Sequence, residues 1–305
     1  MSEYKRWQDH TGWVLDSVND FDVIECGRCE FKHIIPIPAQ EDLTQFYSHD
    51  YYSKEKPFYI ERQKKDLDWW NLVYQDRYDT FEEHLPANRR RVLDVGAGPG
   101  YFLLYGKNHG WEPLGIEPSM QAVKHSQKLG VKIVQGFLTE QTAQQLGLFD
   151  VVHMSEVLEH IPHPTALLRI TKSLLNQNGL LCVVVPNDYN PFQKSLRSTC
   201  RYKPWWVTPP HHINYFDFDS LCKLVTALGF EVVLTEATFP IDIFLLMGEN
   251  YVGKDAIGRK CHEKRKAFER VLNDSGFNHI KRSLYRSFAQ FGIGREIVLI
   301  ARPCT

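Results

Sequence analysis

The sequence predicts an α/β protein, a parallel sheet covered by helices on both faces. An N-terminal accessory region occupies residues 1–85, and the α/β domain fills 86–305 with a C-terminal helical insertion over about 240–291. Two observations carry this expectation. From Arg91 onward, short apolar runs alternate with helical patterns, and the runs are too apolar to leave a wet face, as in strands buried on both sides. A glycine-rich segment, "VLDVGAGPGYF", follows the first of these runs, where an open α/β sheet turns its chain toward a ligand.

The strand candidates, in order, are "RVLDV", "PLGIE", "VKIVQ", "FDVVHM", "GLLCVVV", "FEVVLTEATF" and "REIVLIARP". Between them the pattern predicts helices over 101–109, 119–129, 139–146 and 164–175. Asp217 and Asp219 offer caps for a further helix ending before Gly229. Before the last strand, "RKCHEKRKAFERVL" and "NHIKRSLYRSFAQFG" read as a helical insertion, either a lid or dimer surface or a solvated pair packed on the sheet. The first 85 residues lack the βα rhythm. They are aromatic and punctuated by proline, and "DYYSKEKPFYIERQKKDLDWWNLVYQDRY" reads as a loop followed by a helix with Trp69, Leu72, Val73 and Tyr74 near one face. Tyr51 and Tyr52 in that loop either pack in the core or cover a ligand.

Composition narrows the function. The 305 residues are 43% hydrophobic and 24% charged, which is ordinary globular composition with enough chain for one sizeable core. Thirty-six basic against 37 acidic side chains leave a net charge of −1, without the positive excess that a nucleic-acid partner requires. No apolar run reaches the roughly 18 to 20 residues that span a bilayer, and the opening "MSEYKRWQDH" has no secretory apolar segment, so the expected location is cytoplasmic. Seven scattered cysteines fit reduced thiols in that compartment.

The glycine segment discriminates between cofactors. Gly96, Gly98 and Gly100 allow a tight turn and close backbone approach to a ligand, yet a dinucleotide fingerprint wants glycine at 101, where this chain has Tyr101. The next strand ends in Glu117, 19 residues beyond Gly98, a carboxylate placed to accept both hydroxyls of a ribose. No lysine-bearing phosphate loop accompanies it, which argues against a nucleoside triphosphate.

With these residues the chain resembles the class I S-adenosylmethionine-dependent methyltransferases. The likeness rests on "LDVGAGPG", on "GIEPS" and on "FDVVHMSEVLEHIPHPTALLRITKSLLNQNGLLCVVVPN", runs from about Arg91 to Phe239, and adds "GREIVLIARP" as the antiparallel last strand. It implies a Rossmann-like seven-stranded sheet and S-adenosylmethionine as cofactor. It further implies Asp94, Gly96, Gly98, Glu117, Phe137, Met154 and Ser155 as the residues around that cofactor. Relatives often carry an acid after the third strand; here "VQGFLTE" has Gly136 and Phe137, so Phe137 either stacks on the adenine or closes a strand end.

Methyl transfer asks mainly for alignment and exclusion of water, and an oxygen acceptor gains from a base or a cation. "RYKPWWVTPPHHINYF" brings His211 and His212 to the carboxyl edge of the sheet as base candidates, or as hydrogen-bonding supports of a proline-rich loop. In "SEVLEHIPHP", Glu156, Glu159 and His160 fall on one face if the segment is a helical turn. They then form either a cluster for Mg²⁺ or Mn²⁺ with His211 or His212, or fittings at a helix end, and the second is the expectation, with no metal ligands assigned. "CGRCEFKH" offers Cys26, Cys29 and His33 for zinc, but no second cysteine pair follows. The segment resembles the N-terminal region of some sugar methyltransferases with the ribbon truncated, and two free thiols are expected. The expected activity is O-methylation of a small-molecule or glycan-type acceptor by a chain that acts either alone or as a homodimer. The alternatives are a metal-assisted methyltransferase of a vicinal diol or catechol, and a non-catalytic cofactor-binding partner subunit.

Overall fold

The computed structural model describes residues 3–304. Its N-terminal part is a sheet, where the sequence pattern suggested irregular chain. β1 (Tyr4–Trp7), β2 (His10–Val18), β3 (Phe21–Cys26) and β4 (Lys32–Ile35) form an antiparallel meander. A two-residue strand from far along the chain, β10 (Asn214–Tyr215), completes it against β4. The register of β2 shifts between Val14 and Asp16, and that irregularity breaks the period-two alternation by which the strand would be recognised.

Then come α1 (Gln40–Gln45), a π-helical stretch over Phe46–Glu55, α2 (Tyr59–Lys65) and α3 (Leu67–His84). The larger sheet holds β5 (Arg91–Val95), β6 (Glu112–Glu117), β7 (Lys132–Gln135), β8 (Phe149–Ser155), β9 (Leu175–Pro186), β11 (Phe230–Ala237) and β12 (Glu296–Pro303). Their spatial order is β11-β12-β9-β8-β5-β6-β7. Only β12 runs against its neighbours, so the seven-stranded sheet with one reversed last strand is the observed architecture. The helices of this part are α4 (Tyr101–Asn108), α5 (Met120–Lys128), α6 (Glu140–Ala143), α7 (Pro164–Ser173), α8 (Pro191–Cys200), α9 (Phe218–Ala227), α10 (Ile243–Leu246), α11 (Asp255–Asp274) and α12 (Asn278–Gln290). The helix expected over 139–146 shrinks to the single turn α6, and α8 forms where no helix was expected.

Each face of the large sheet buries its own core. Along β8, Val152 and Met154 face Leu167 and Leu168 of α7 and Leu221 and Val225 of α9, while Val151 faces Tyr78 and Phe81 of α3 and Phe102 and Leu103 of α4. Full burial of one such aliphatic or aromatic side chain is worth about 1.5 to 3 kcal/mol, so the two layers fix the sheet that carries the site. Helix α4 approaches α3 so closely that a Cβ on Gly106 would lie 2.1 Å from the Tyr78 hydroxyl.

Two polar ties join the small sheet to the large domain. Asp16 of β2 accepts from the Tyr189 hydroxyl at 2.9 Å and from Arg197 of α8 at 2.5 Å. Lys32 of β4 meets Asp217, the N-cap of α9, at 2.7 Å. α11 and α12 are neither free nor detached from the fold: α12 packs along β11, and Lys281 pairs with Asp76 of α3 at 2.7 Å. Among the described residues, no helix is long and apolar enough to cross a membrane.

Candidate functional site

Strand order reverses between β5 and β8, and the crevice beyond their carboxyl ends is where open α/β sheets take their ligands. A cavity of about 590 Å³ opens there. Asp94, Gly96, Gly98, Glu117, Phe137 and Ser155, all singled out in the sequence, line it.

The glycine turn is shaped by what surrounds it. Gly96 has φ +72° and a Cβ there would lie 2.6 Å from Val157; Gly98 has φ +52° and a Cβ would lie 3.1 Å from the Tyr52 hydroxyl. Positive φ and contact from above both exclude a side chain. Glu117 holds the turn from below: one carboxylate oxygen accepts from the Gly98 amide and the other from the Ser119 amide, each at 2.9 Å. Burial pushes this carboxyl up to about 7, against the pull of those two amides. Beneath the turn His153 donates from Nδ1 to Asp94 at 2.7 Å and stacks on Phe102 at 4.1 Å.

Met154 does not reach the cavity. Alternation along β8 sends its side chain into the α7/α9 core, fully buried, so the residues on the cavity side are His153 and Ser155. Met154 therefore offers a ligand no side chain.

The roof comes from the N-terminal region. Tyr51, Tyr52, Tyr59, Gln63, Trp70, Tyr74 and Arg77 line the same cavity, and Tyr52 also packs in a small core cluster with Ile60 and Ala122, with Tyr51 and Tyr59 against it. Gln63, Trp70 and Arg77 are lining residues that sequence reasoning missed; Trp70, Tyr74 and Arg77 follow one another at helical spacing along α3, and that was the available signal.

A second cavity of about 610 Å³ shares Tyr51, Tyr59, Glu156 and His160 with the first. His211 and His212 line this one and not the first. The His211 ring lies flat on Phe46, centroids 3.9 Å apart, and its Nδ1 has no partner. α11, α12 and the loop before β12 supply Arg265, Glu269, Lys281, Tyr285 and Arg295 to the far wall.

The acidic motif after β8 is not an α-helical turn. Glu156 has φ +54° and stands before a 3₁₀ turn over Leu158–His160, so Glu156 does not join Glu159 and His160 on one helical face as the spacing had suggested. The structure groups Glu159, His160 and His212 instead, with donor atoms within 4.8 Å of one another. Part of the motif does fasten backbone: His160 donates from Nδ1 to the His211 carbonyl at 2.7 Å, leaving Nε2 facing Glu159 at 3.7 Å. The Glu159 side chain fastens nothing, since both carboxyl oxygens are buried without a hydrogen-bond partner and the residue is 1% exposed. Burial drives the Glu159 carboxyl well upward, with Glu156 adding to it, and pushes His160 down to about 4 and His212 down to about 3. His211 is lowered more mildly, again by burial.

A family model described as "Methyltransferase domain" matches residues 67–235, more than half of the chain. The chain belongs to this family. The chain is 34% identical over 102 residues to the ubiquinone biosynthesis O-methyltransferase of Actinobacillus pleuropneumoniae, covering 30% of the chain and 44% of that protein. To the enzyme of the same name from Xanthomonas axonopodis pv. citri it is 39% identical over 98 residues, covering 30% and 41%. The chain thus spans less than half the length of these curated relatives. Among solved structures, the plantazolicin methyltransferase BpumL in complex with SAH aligns with a TM-score of 0.50 at 13% identity, over 86% of this chain and 94% of that one. The fold is that of the S-adenosylmethionine-dependent methyltransferases, and S-adenosylmethionine is the cofactor of the family.

Proposed function

We propose that the methyltransferase moves the methyl group of S-adenosylmethionine to an oxygen of a small-molecule acceptor, with glycan-type acceptors in the same class. The observation that carries this reading is the pair of cavities with a common wall. One holds the glycine turn and Glu117; the other holds His211, with Tyr51, Glu156 and His160 between them. A cofactor in the first would present its sulfonium methyl toward the second, in line with an acceptor held there. The ribose falls to Glu117, the amino acid portion to Gly96 and Gly98 above Asp94, and the adenine to Phe137, with Ser155 at the methionine end. Tyr51 and Tyr52 close the top and keep water out. His211 is assigned as the general base, because His212, at about 3, is too weak a base to take a hydroxyl proton. The names of the two curated relatives support oxygen as the acceptor atom. The test is a panel of phenols, catechols and sugars incubated with isotopically labelled S-adenosylmethionine. Label should appear in an O-methyl product, and label found only on nitrogen or carbon would refute the reading.

Cofactor affinity should depend on pH through Glu117. In the cofactor-free chain, its raised pKa contributes stability below the ordinary value of 4.5 that is lost as pH rises through about 7. A ribose reverses the preference, because the ionised form accepts both hydroxyls. S-adenosylhomocysteine should therefore bind more tightly as pH rises through about 7, with a proton released, and Glu117→Gln should flatten the profile; calorimetry in buffers of different ionisation enthalpy reads both.

A second reading, a metal-assisted methyltransferase of a vicinal diol or catechol, is favoured by the group Glu159, His160 and His212. A buried unpartnered carboxyl beside two imidazoles held neutral fits a divalent cation that takes oxygen and nitrogen ligands. Those three residues would hold it, and a bound cation would supply charge that lowers the pKa of an acceptor hydroxyl. Turnover abolished by EDTA, restored by Mg²⁺ or Mn²⁺ and absent in Glu159→Gln selects this reading; turnover indifferent to EDTA removes it.

The cytoplasm remains the proposed compartment, in keeping with seven cysteines that are all unpaired. The division into an accessory region over 1–85 and a domain over 86–305 is likewise a proposal, as is a homodimer, for which the exposed Val271, Phe277 and Ile280 of the α11/α12 region supply an apolar surface.

A further inference from the structure

The small N-terminal sheet carries a cluster that methyl transfer does not use. His10 opens β2, Cys26 ends β3, Cys29 sits in the following turn and His33 lies in β4, and one donor atom from each falls within 4.8 Å of all the others. The expectation of a truncated site with two free thiols overlooked His10, which lies 16 residues before Cys26 and belongs to no recognisable spacing. Strand pairing delivers it, because β2 and β3 run antiparallel with Gly12 opposite Cys26, and Gly12 packs so tightly on the Glu25 carbonyl that no side chain fits between the strands there.

We propose that His10, Cys26, Cys29 and His33 form a structural zinc site that fixes β4, the strand on which β10 and the acceptor loop are seated. The distances suit the ion. Tetrahedral zinc with Zn–S of about 2.3 Å and Zn–N of about 2.0 to 2.1 Å sets its ligand atoms about 3.3 to 3.8 Å apart. His10 Nδ1 lies 3.4 Å from Cys29 Sγ, 3.7 Å from Cys26 Sγ and 3.1 Å from His33 Nε2. His33 is also oriented as a ligand: its Nδ1 donates to the Ile34 carbonyl at 2.9 Å, which leaves the Nε2 lone pair toward the cluster. Two thiolates and two imidazoles satisfy zinc completely, with no open position, so the site holds structure and performs no chemistry.

What it holds follows from register. His33 pairs with Asn214 across β4 and β10, and the Ile34 amide donates to the Ile213 carbonyl at 2.9 Å. Asn214 in turn donates to the carbonyls of Leu158 at 3.0 Å and Ile161 at 2.8 Å, on either side of Glu159 and His160, and the Ile213 amide donates to the Glu159 carbonyl at 2.8 Å. The ion is thus one strand away from the loop that carries His211 and His212 and from the turn that carries Glu159. The cofactor residues Gly98 and Glu117 lie outside this chain of bonds.

The zinc assignment is independent of the reaction; its effect on turnover rests on the methyl-transfer reading. The full chain, purified reduced and without chelator, should contain about one zinc per molecule by elemental analysis. Cobalt exchanged into it should show thiolate-to-cobalt charge transfer and the intense visible bands of a tetrahedral site. Cys26→Ser should lose the zinc and Glu159→Gln should keep it. A zinc that survives Cys26→Ser, or unaltered chain that takes up neither zinc nor cobalt when refolded with either ion, overturns the assignment, and the cobalt spectrum decides if the variant fails to fold. His10→Gln should lower kcat by about tenfold or more while S-adenosylhomocysteine affinity stays within about twofold. Loss of zinc with kcat unchanged overturns the supporting role and leaves the site. An absence of turnover in every chain with zinc present counts against the methyl-transfer reading alone.

Discussion

Replacing His211 with alanine is expected to lower kcat by about 10²-fold or more while S-adenosylhomocysteine binds as it does to the unaltered chain. The expectation follows from which wall the residue stands on. His211 lines the second cavity and not the one with the glycine turn, so truncating it leaves every cofactor contact in place. Its Nδ1 is unpartnered and its ring is steadied against Phe46, an arrangement that keeps a lone pair available without spending it on the fold. The one structural duty of the residue belongs to its backbone carbonyl, which accepts from His160 and survives the substitution. Its pKa is lowered by burial, so the imidazole is neutral and competent above that value. Turnover should therefore rise with pH with its midpoint below the 6.5 of an ordinary histidine. His212→Ala is the companion measurement. Full turnover in both single variants would reduce the pair to supports of the proline-rich loop.

Glu117→Ala should weaken S-adenosylhomocysteine binding by about 1 to 3 kcal/mol, roughly 5- to 150-fold, with little change in the rate of methyl transfer at saturating cofactor. Under the proposed function the carboxylate has two duties, a charged acceptor for the ribose and the observed clasp on the Gly98 and Ser119 amides. Alanine removes both, whereas glutamine keeps an oxygen for one amide. Glu117→Gln should then lie between, and the difference between the two variants measures the clasp. Equal affinity in all three proteins would remove the ribose from this position.

The large sheet was legible because each of its strands is a continuous apolar run, and β6 ends on an acid that nothing but a ligand or a turn would justify in a core. The lining of the first cavity was legible because Asp94, Gly96, Gly98, Glu117, Phe137 and Ser155 lie within a few positions of strand ends, which local spacing reports. Met154 came from the family resemblance, which does not say which of two alternating faces its side chain takes; in β8 that face is the core. His10 stands on different footing, since it is delivered by strand pairing and leaves no mark in local spacing, whereas Glu159 and His160 were named from spacing and the fold chose His212 over His211 to join them. Glu156 shows the reverse error. An i, i+3, i+4 pattern implies a shared face only if the segment is helical, and a left-handed residue at its start voids the inference.

The pairing of β4 with β10 joins residues 33 and 214, which are 181 positions apart (214 minus 33). Closing so long a loop is entropically slow, and nothing local repays it beforehand. On the ribosome the N-terminal meander emerges with β4 as a bare edge and waits for most of the α/β domain before it is capped. An exposed edge strand invites pairing with other chains, and an early metal-bound meander would be the more rigid, less sticky waiting form. Zinc supply during synthesis should accordingly govern soluble yield more strongly than it governs the stability of the finished protein, a difference visible as aggregation of nascent chain in zinc-starved cells while purified protein tolerates a chelator.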